Sequence, residues 1–283
     1  MDKRDIASKE FKTRYNDKQK IIEHYELVSP YYRELWGEHL HHGYWVTGSE
    51  SKEEAQLALT AHLAQVAQIP KGADILDVGC GFGGSSLYLA REYRAAVTGI
   101  TISETQAAIA RQNAHDAGTP ARFLVMDADD ITIPEKFGVV WSIEAISHFG
   151  DKPTFFARTG ELLQTGGTLA LIDWFQKERL SAADRRAFIE PIERGMLVEL
   201  KTISGYSEMI RAAGLDITDT SDLSIHCART WDISLDLIKN RSLWQLANDQ
   251  GVEFVRFLRA FSAMRKGFAS ANFVYGLIVA RKK

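Results

Sequence analysis

Between residues 73 and 174 the chain alternates short apolar runs with amphipathic stretches. The runs 73–78, 96–100, 121–126, 139–143 and 168–174 are rich in Val, Ile and Leu. Their length and near-continuous apolar character predict strands buried on both faces. Between them, 85–93, 104–115 and 154–163 carry apolar residues at helical spacing, with Gly118 and Gly166-Gly167 as stops. Strands alternating with helices predict βαβ units and a mostly parallel sheet. Upstream, residues 1–30 read as helical, with Phe11, Tyr15, Ile22 and Tyr25 among charges. A stretch from Tyr31 to Trp45 is rich in aromatics and histidine without a clear period. Residues 52–68 read as an amphipathic helix ending before Pro70. Downstream, 181–194, 207–213 and 231–268 look helical, while 215–220 and 272–280 look like strands. The expected organisation is an α/β protein with a helical flap over residues 1–68. A sheet domain follows over 69–283, with a helical cap inserted at about 177–270.

The first apolar run ends in Ile75-Leu76-Asp77-Val78-Gly79-Cys80-Gly81-Phe82-Gly83-Gly84-Ser85-Ser86. That order reads as strand, tight turn and helix start. Glycines permit positive φ and close approach of a ligand to the main chain. A helix start offers free N–H groups and partial positive charge. The segment therefore predicts a nucleotide-like cofactor, and two classes compete for it. Gly79, Gly81 and Gly84 satisfy the G-x-G-x-x-G spacing of dinucleotide binding, by itself a weak signal. Asp77 points elsewhere: a carboxylate gives a pyrophosphate nothing, but suits a ligand with ammonium and sulfonium groups.

Composition adds exclusions. A net charge of −3 over 283 residues gives no general attraction to nucleic acid. The first twenty residues hold seven Lys/Arg against four Asp/Glu, a solvated helix face. Two distant cysteines, Cys80 and Cys227, make no disulfide framework, and no apolar run is long enough to span a membrane. The charged start is unlike a signal peptide, so a cytoplasmic protein is expected. The cluster His39, His41 and His42 matches no common closed zinc spacing, so no metal is expected.

The string D-V-G-C-G-x-G-G-S-S resembles motif I of class I S-adenosylmethionine (SAM) methyltransferases. Gly99-Ile100-Thr101-Ile102-Ser103-Glu104-Thr105-Gln106 resembles the G-[IL]-T-[IL]-S-x-x-Q form of tocopherol, sterol and cyclopropane-fatty-acid methyltransferases, with Thr101 where most dinucleotide sites and many SAM sites place an acidic residue. Trp141-Ser142-Ile143-Glu144-Ala145-Ile146-Ser147-His148 resembles their W-S-x-E-x-x-x-H segment, here opened by Phe137-Gly138 where Phe-Asp is commoner. Trp36 to Trp45 resembles the W-G-x-x-[HI]-H-x-G-Y-W segment before the fold. The likeness spans residues 22–222 and weakens in the cap. It implies a Rossmann-like seven-stranded sheet with the last strand antiparallel, and SAM as cofactor.

Residue by residue, the resemblance implies a cofactor set of Asp77, Gly79, Gly81, Thr101, Ile102, Gln106, Asp127, Ala128, Ser142 and His42. Ser103-x-x-Gln106 also fits a helix capping box, and 127–130 fits a self-bonding aspartate turn. His148 and Asp173 fall at carboxyl ends of strands, where an open α/β sheet binds its ligands. A histidine near a carboxylate suits general-base work on an oxygen, and the similar sugar O-methyltransferases of indolocarbazole biosynthesis carry a His and an Asp in corresponding places. Tyr25, His41, Phe149 and Trp174 are the expected acceptor contacts. Phe254, Phe257, Phe261, Met264 and Phe268 recur at helical spacing, fitting core packing or a lid over an apolar acceptor. The expected reaction is methyl transfer to a hydroxyl of a small or medium, partly apolar metabolite of natural-product type. The alternatives are C-methylation of an isoprenoid or prenylated aromatic, a non-catalytic SAM-binding partner and, more distantly, an NAD(P)-dependent oxidoreductase. No nucleic acid or integral membrane association is expected, and assembly into a homo-oligomer is left open.

Overall fold

The computed structural model describes residues 17–237, 239, 244 and 251–283. Phe11, Tyr15 and the start of the first predicted helix lie outside the described residues, as does most of 238–250. The chain opens with α1 (Lys18–Trp36) and α2 (Lys52–Val66), capped by Asp17 and by a reciprocal Ser51–Glu54 capping box. Then follow β1 (Asp74–Val78), α3 (Gly84–Tyr93), β2 (Ala96–Thr101), α4 (Glu104–Asp116) and β3 (Ala121–Val125). After β4 (Phe137–Ile143) come a single turn Ile146–His148, α5 (Lys152–Leu162) and β5 (Leu163–Gln176). Next are α6 (Glu190–Met196), α7 (Ile203–Ala212), β6 (Leu215–Asp222), α8 (Arg229–Leu237), α9 (Val252–Ala269) and β7 (Phe273–Lys282).

The seven strands lie in the order β3-β2-β1-β4-β5-β7-β6. Pairings from β3 to β5 are parallel, and β7 runs antiparallel to both β5 and β6. This is the Rossmann-like arrangement expected. Strand order reverses beside β1, which pairs β2 on one side and β4 on the other, so the ligand crevice falls at their carboxyl ends. The two-residue period of the strands divides the core. Ile75, Val139, Trp141, Ala170 and Ile172 face a cluster with Leu59, Leu63, Ile192, Trp231 and Phe257. Leu76, Val78, Val140, Leu169 and Leu171 face the opposite cluster with Phe155, Phe156, Tyr206 and Ile210.

Two expectations are corrected. The first helix does not stop at residue 30 but runs through Pro30 to Trp36. Proline cannot donate to the helix ladder. Packing outweighs that loss, because Val28 and Trp36 on either side of it are buried. The section 177–270 is not all cap, since α7 and β6 complete the sheet end of the fold.

Candidate active site

An open cleft of about 1830 Å³, the solvent at its mouth included, lies at the carboxyl ends of β1 and β4. It is roofed by α1, whose residues Lys18, Ile21, Tyr25, Val28, Tyr32 and Trp36 line it at helical spacing.

One end is polar. Gly79, at φ 79°, takes a left-handed conformation that a side chain would strain, and an added Cβ would lie 2.2 Å from the Ala145 Cβ. Asp77 lines the cavity behind this turn, fixed by the Ser86 hydroxyl, which donates to its Oδ2 at 2.6 Å. Burial pushes the Asp77 carboxyl up to about 7, against the Ser86 bond. Ser103 caps α4 by accepting from the Gln106 N–H, as a capping box requires, but the reciprocal half is absent. The Gln106 side chain turns away and its Oε1 accepts from the Thr101 hydroxyl at 2.7 Å. Its amide N–H2 faces the cavity without a hydrogen-bond partner among the described residues. Asp127 both accepts from the Asp129 N–H, as a self-bonding turn would, and pairs with Lys18 of α1 at 2.6 Å. Lys18 also pairs with Asp129 at 2.8 Å, whose Oδ1 is buried and unpartnered.

The other end is aromatic and apolar. Phe149, Trp174, Met196, Trp231, Phe254, Phe257 and Phe261 line it. The stripe on α9 is therefore divided: Phe254, Phe257 and Phe261 reach the cavity, while Met264 and Phe268 pack into the core. Into this end project Tyr25 and His148. The His148 Nδ1–H donates to the Leu197 carbonyl at 3.2 Å, which fixes the tautomer and leaves Nε2 to accept from the Tyr25 hydroxyl at 3.0 Å. Burial lowers the imidazole to about 4, so Nε2 keeps its lone pair at neutral pH. Burial, then the charges of Glu144 and Asp173, raises the Tyr25 phenol and keeps it a donor.

Two predicted site residues do not reach this cavity. Ser142 is buried, and its hydroxyl donates to the Val78 carbonyl at 2.8 Å, tying β4 to β1. It is a strut of the switch point and is absent from the cavity lining. Asp173 is also fully buried. Its carboxylate accepts from the Ser147 N–H at 2.7 Å, the Trp174 N–H at 2.8 Å and the Tyr206 hydroxyl at 3.2 Å. It makes no hydrogen bond to His148 and instead holds the loop that carries it. Buried Lys152 grips the same loop, donating to the Phe149 carbonyl at 2.9 Å and the Ser147 carbonyl at 3.3 Å. Asp77, Gly79, Gly81, Thr101, Ile102, Gln106, Asp127 and Ala128 all line one cavity with His41, His42, Tyr25, His148, Phe149 and Trp174.

The histidine cluster bonds to itself. His39 Nδ1 and His41 Nε2 lie 3.1 Å apart, and His41 Nδ1 donates to the His42 carbonyl at 2.9 Å. Among the described residues no group of three His, Cys, Asp or Glu could hold a metal, and no helix is long and apolar enough to cross a membrane. Sequence reasoning missed Glu144, which lines the cavity directly after β4 and receives both the His42 N–H and the His42 Nδ1–H. It also missed Lys18, and of the aspartate turn 127–130 it singled out Asp127 although Asp129 lines the cavity too.

The family model for mycolic acid cyclopropane synthetase matches residues 12–271. The chain is 29% identical to 27-O-demethylrifamycin SV methyltransferase of Amycolatopsis mediterranei (strain S699), covering 91% of this chain and 95% of that protein. It is 31% identical to 2-methyl-6-phytyl-1,4-hydroquinone methyltransferase of Synechocystis sp. (strain ATCC 27184 / PCC 6803 / Kazusa), covering 88% and 82%. Among solved structures, the [4+2]-cyclase SpnF matches with a TM-score of 0.82 at 25% identity, covering 93% of this chain and 95% of that one. The nicotinamide alternative is set aside by these matches and by the polar end, where glycine turn, Asp77, Gln106 and the Asp127 turn fit SAM. The chain belongs to the mycolic acid cyclopropane synthetase family of SAM-dependent methyltransferases.

Proposed function

We propose that this enzyme methylates a hydroxyl oxygen of a small, largely apolar metabolite. The observation that carries the reading is the Tyr25–His148 pair, a neutral imidazole Nε2 accepting from a phenol that itself faces an aromatic cavity. When bound, SAM supplies an electrophilic methyl group. Asp77, the Gly79–Gly81 turn, Thr101, Gln106 and the Asp127–Asp129 turn would hold it at the polar end. The acceptor hydroxyl donates to the Tyr25 oxygen, and Tyr25 donates to His148. As the acceptor oxygen takes the methyl and S-adenosylhomocysteine is left, the hydroxyl proton passes to Tyr25 and the Tyr25 proton to His148 Nε2. Burial of both residues keeps this relay dry and unscreened. Asp173 and Lys152 act as positioning residues, because they fix the backbone on either side of His148.

C-methylation is the second reading. It is favoured by 31% identity over 73% of this chain to the 24-methylenesterol C-methyltransferase 2 of Arabidopsis thaliana, which this chain covers to 59% of its length. The wall of Trp174, Trp231 and Phe257 would also stabilise positive charge on a carbon skeleton. One assay separates the readings. Methyl-labelled SAM is incubated with the protein and hydroxylated apolar acceptors, and the label is located by mass spectrometry. Label on oxygen, lost in His148→Ala, supports the proposal. Label on carbon that survives His148→Ala replaces it. SAM binding with no transfer to any acceptor would point to a different use of the fold, such as the cyclase activity for which SpnF is named.

A further inference from the structure

Glu144 is an acidic side chain that lines the cavity and that the relay does not use. It sits at φ 53°, a left-handed conformation costly for a non-glycine residue and kept only where surroundings over-determine it. Those surroundings converge on a single oxygen. Oε1 accepts from the His42 N–H at 2.6 Å, the His42 Nδ1–H at 2.9 Å and the Tyr275 hydroxyl at 2.5 Å. The His42 ring is in turn clamped between the stacked Tyr275 ring and the edge-on Trp231 ring, each with centroids 4.5 Å away. Burial opposes the charge, yet His42 and Tyr275 hold the carboxyl below its usual range, so it is ionised.

Oε2 is different. It has no hydrogen-bond partner among the described residues, although the side chain is only 8% exposed. It is not one of the polar atoms sealed inside protein, and Glu144 lines the cavity, so this oxygen opens into it. An ionised carboxylate oxygen held in a largely apolar space demands a donor. The polar end belongs to β1, β2 and β3, whereas Glu144 follows β4 and is braced from β7 and the chain before α2. Its partner His42 packs edge-on against Trp231 and Trp174, which sets Glu144 on the acceptor's side.

We propose, resting on the methyltransferase reading, that Glu144 Oε2 takes a hydrogen bond from a second hydroxyl of the acceptor, one that is not methylated. The acceptor then has two polar points on an otherwise apolar, ring-rich body. One is deprotonated through Tyr25 and His148; the other is held by Glu144, which orients the scaffold. A hydroxyl suits this place better than an ammonium group, which would set a second cation beside the sulfonium.

The test uses the full chain with S-adenosylhomocysteine present, and tryptophan fluorescence to follow binding of the isomeric dihydroxynaphthalenes and of the naphthols. The isomers scan the separation of the two hydroxyls. The wild-type protein is expected to bind the best dihydroxy isomer at least about tenfold tighter than either naphthol. Glu144→Gln, the same shape without the charge, brings that ratio to within about twofold. Its affinity for S-adenosylhomocysteine stays unchanged. Tyr275→Phe removes one donor from Oε1, leaves Oε2 in place and keeps the preference. No preference in the wild-type protein overturns the proposal without any variant having to fold. A preference that survives Glu144→Gln overturns it too, as does a matching loss of S-adenosylhomocysteine affinity, which would make Glu144 a cofactor contact. Wild-type protein that fails to bind S-adenosylhomocysteine at all overturns the methyltransferase reading itself, a distinct result.

Discussion

The protonation of His148 and of Asp77 is set by burial, and burial moves the two in opposite senses. Imidazole is charged when protonated, so enclosure lowers His148 to about 4. The unfolded chain then binds more protons than the folded one below the usual histidine range. This contribution to stability is full above about pH 6.5 and is lost as pH falls towards 4. For catalysis the same shift means that the acid limb of kcat/KM lies below about pH 5.5, not near 6.5. A pH profile of label transfer checks this, and an acid limb at 6.5 would show a solvated base. Tyr25→Phe and His148→Ala should each lower kcat by about a hundredfold or more with cofactor affinity unchanged, because both stand in one relay. Carboxyl is charged when deprotonated, so enclosure raises Asp77 to about 7. Here the folded state holds the extra proton, and the contribution is full below about pH 4 and lost as pH rises through 7. In the ligand-free protein, Asp77→Asn should abolish that loss, on the order of a few kcal/mol. Thermal melts of wild type and variant across this window measure it as a difference, which cancels the opposing histidines.

At the scale of elements, α1 is bound to the rim of the sheet by polar groups that come from different turns of the helix. Lys18 reaches the turn after β3, Arg33 reaches Asn113 of α4 at 3.0 Å, and Glu26 reaches the start of α4. The Glu26 carboxylate accepts from the Ser103 hydroxyl at 2.7 Å, the Thr105 N–H at 3.2 Å and the Thr105 hydroxyl. These bonds close the roof over the polar end. Glu26→Ala is therefore expected to weaken S-adenosylhomocysteine binding about tenfold, near 1.4 kcal/mol, by calorimetry, while kcat at saturation changes little. An unchanged affinity would mean that α1 closes by its apolar face alone. Elements of this kind are legible unevenly in the sequence. Strands and helices from 73 to 174 follow from period and length, because a parallel sheet imposes both. The passage of α1 through Pro30 does not, since local propensity forbids it and only burial of Val28 and Trp36 overrides it. Asp173 stands at the expected rim but makes a different contact: Ser147, Trp174 and Tyr206 already fill its carboxylate. Glu144 stands inside a motif, yet its significance depends on donors at His42 and Tyr275, more than a hundred residues away on either side. No spacing rule spans such distances.

Over the whole molecule the two ends of the cavity are built by different parts of the chain, which makes them separable by experiment. Loops after β1, β2 and β3 form the polar end, and α6, α8 and α9 supply much of the aromatic one. Phe257 ties that wall to α1, with centroids 4.7 Å from His24, 5.2 Å from Phe261, 5.6 Å from Phe254 and 6.0 Å from Tyr32. Truncation to alanine would cost several kcal/mol and confuse folding with binding. Phe257→Leu keeps most of the volume and removes the flat face. Its cost to stability should stay below about 1.5 kcal/mol, a few degrees in Tm. S-adenosylhomocysteine at a hundredfold over Kd stabilises a protein by about 2.7 kcal/mol, and wild type and Phe257→Leu should show the same upward shift in Tm. The acceptor KM, by contrast, should rise about threefold to tenfold in the variant, because a ring-on-ring contact contributes about 0.5–1.5 kcal/mol beyond its area. Equal losses in both ligands would mean that the cap shapes the polar end as well, and that the two halves of the cavity act as one site.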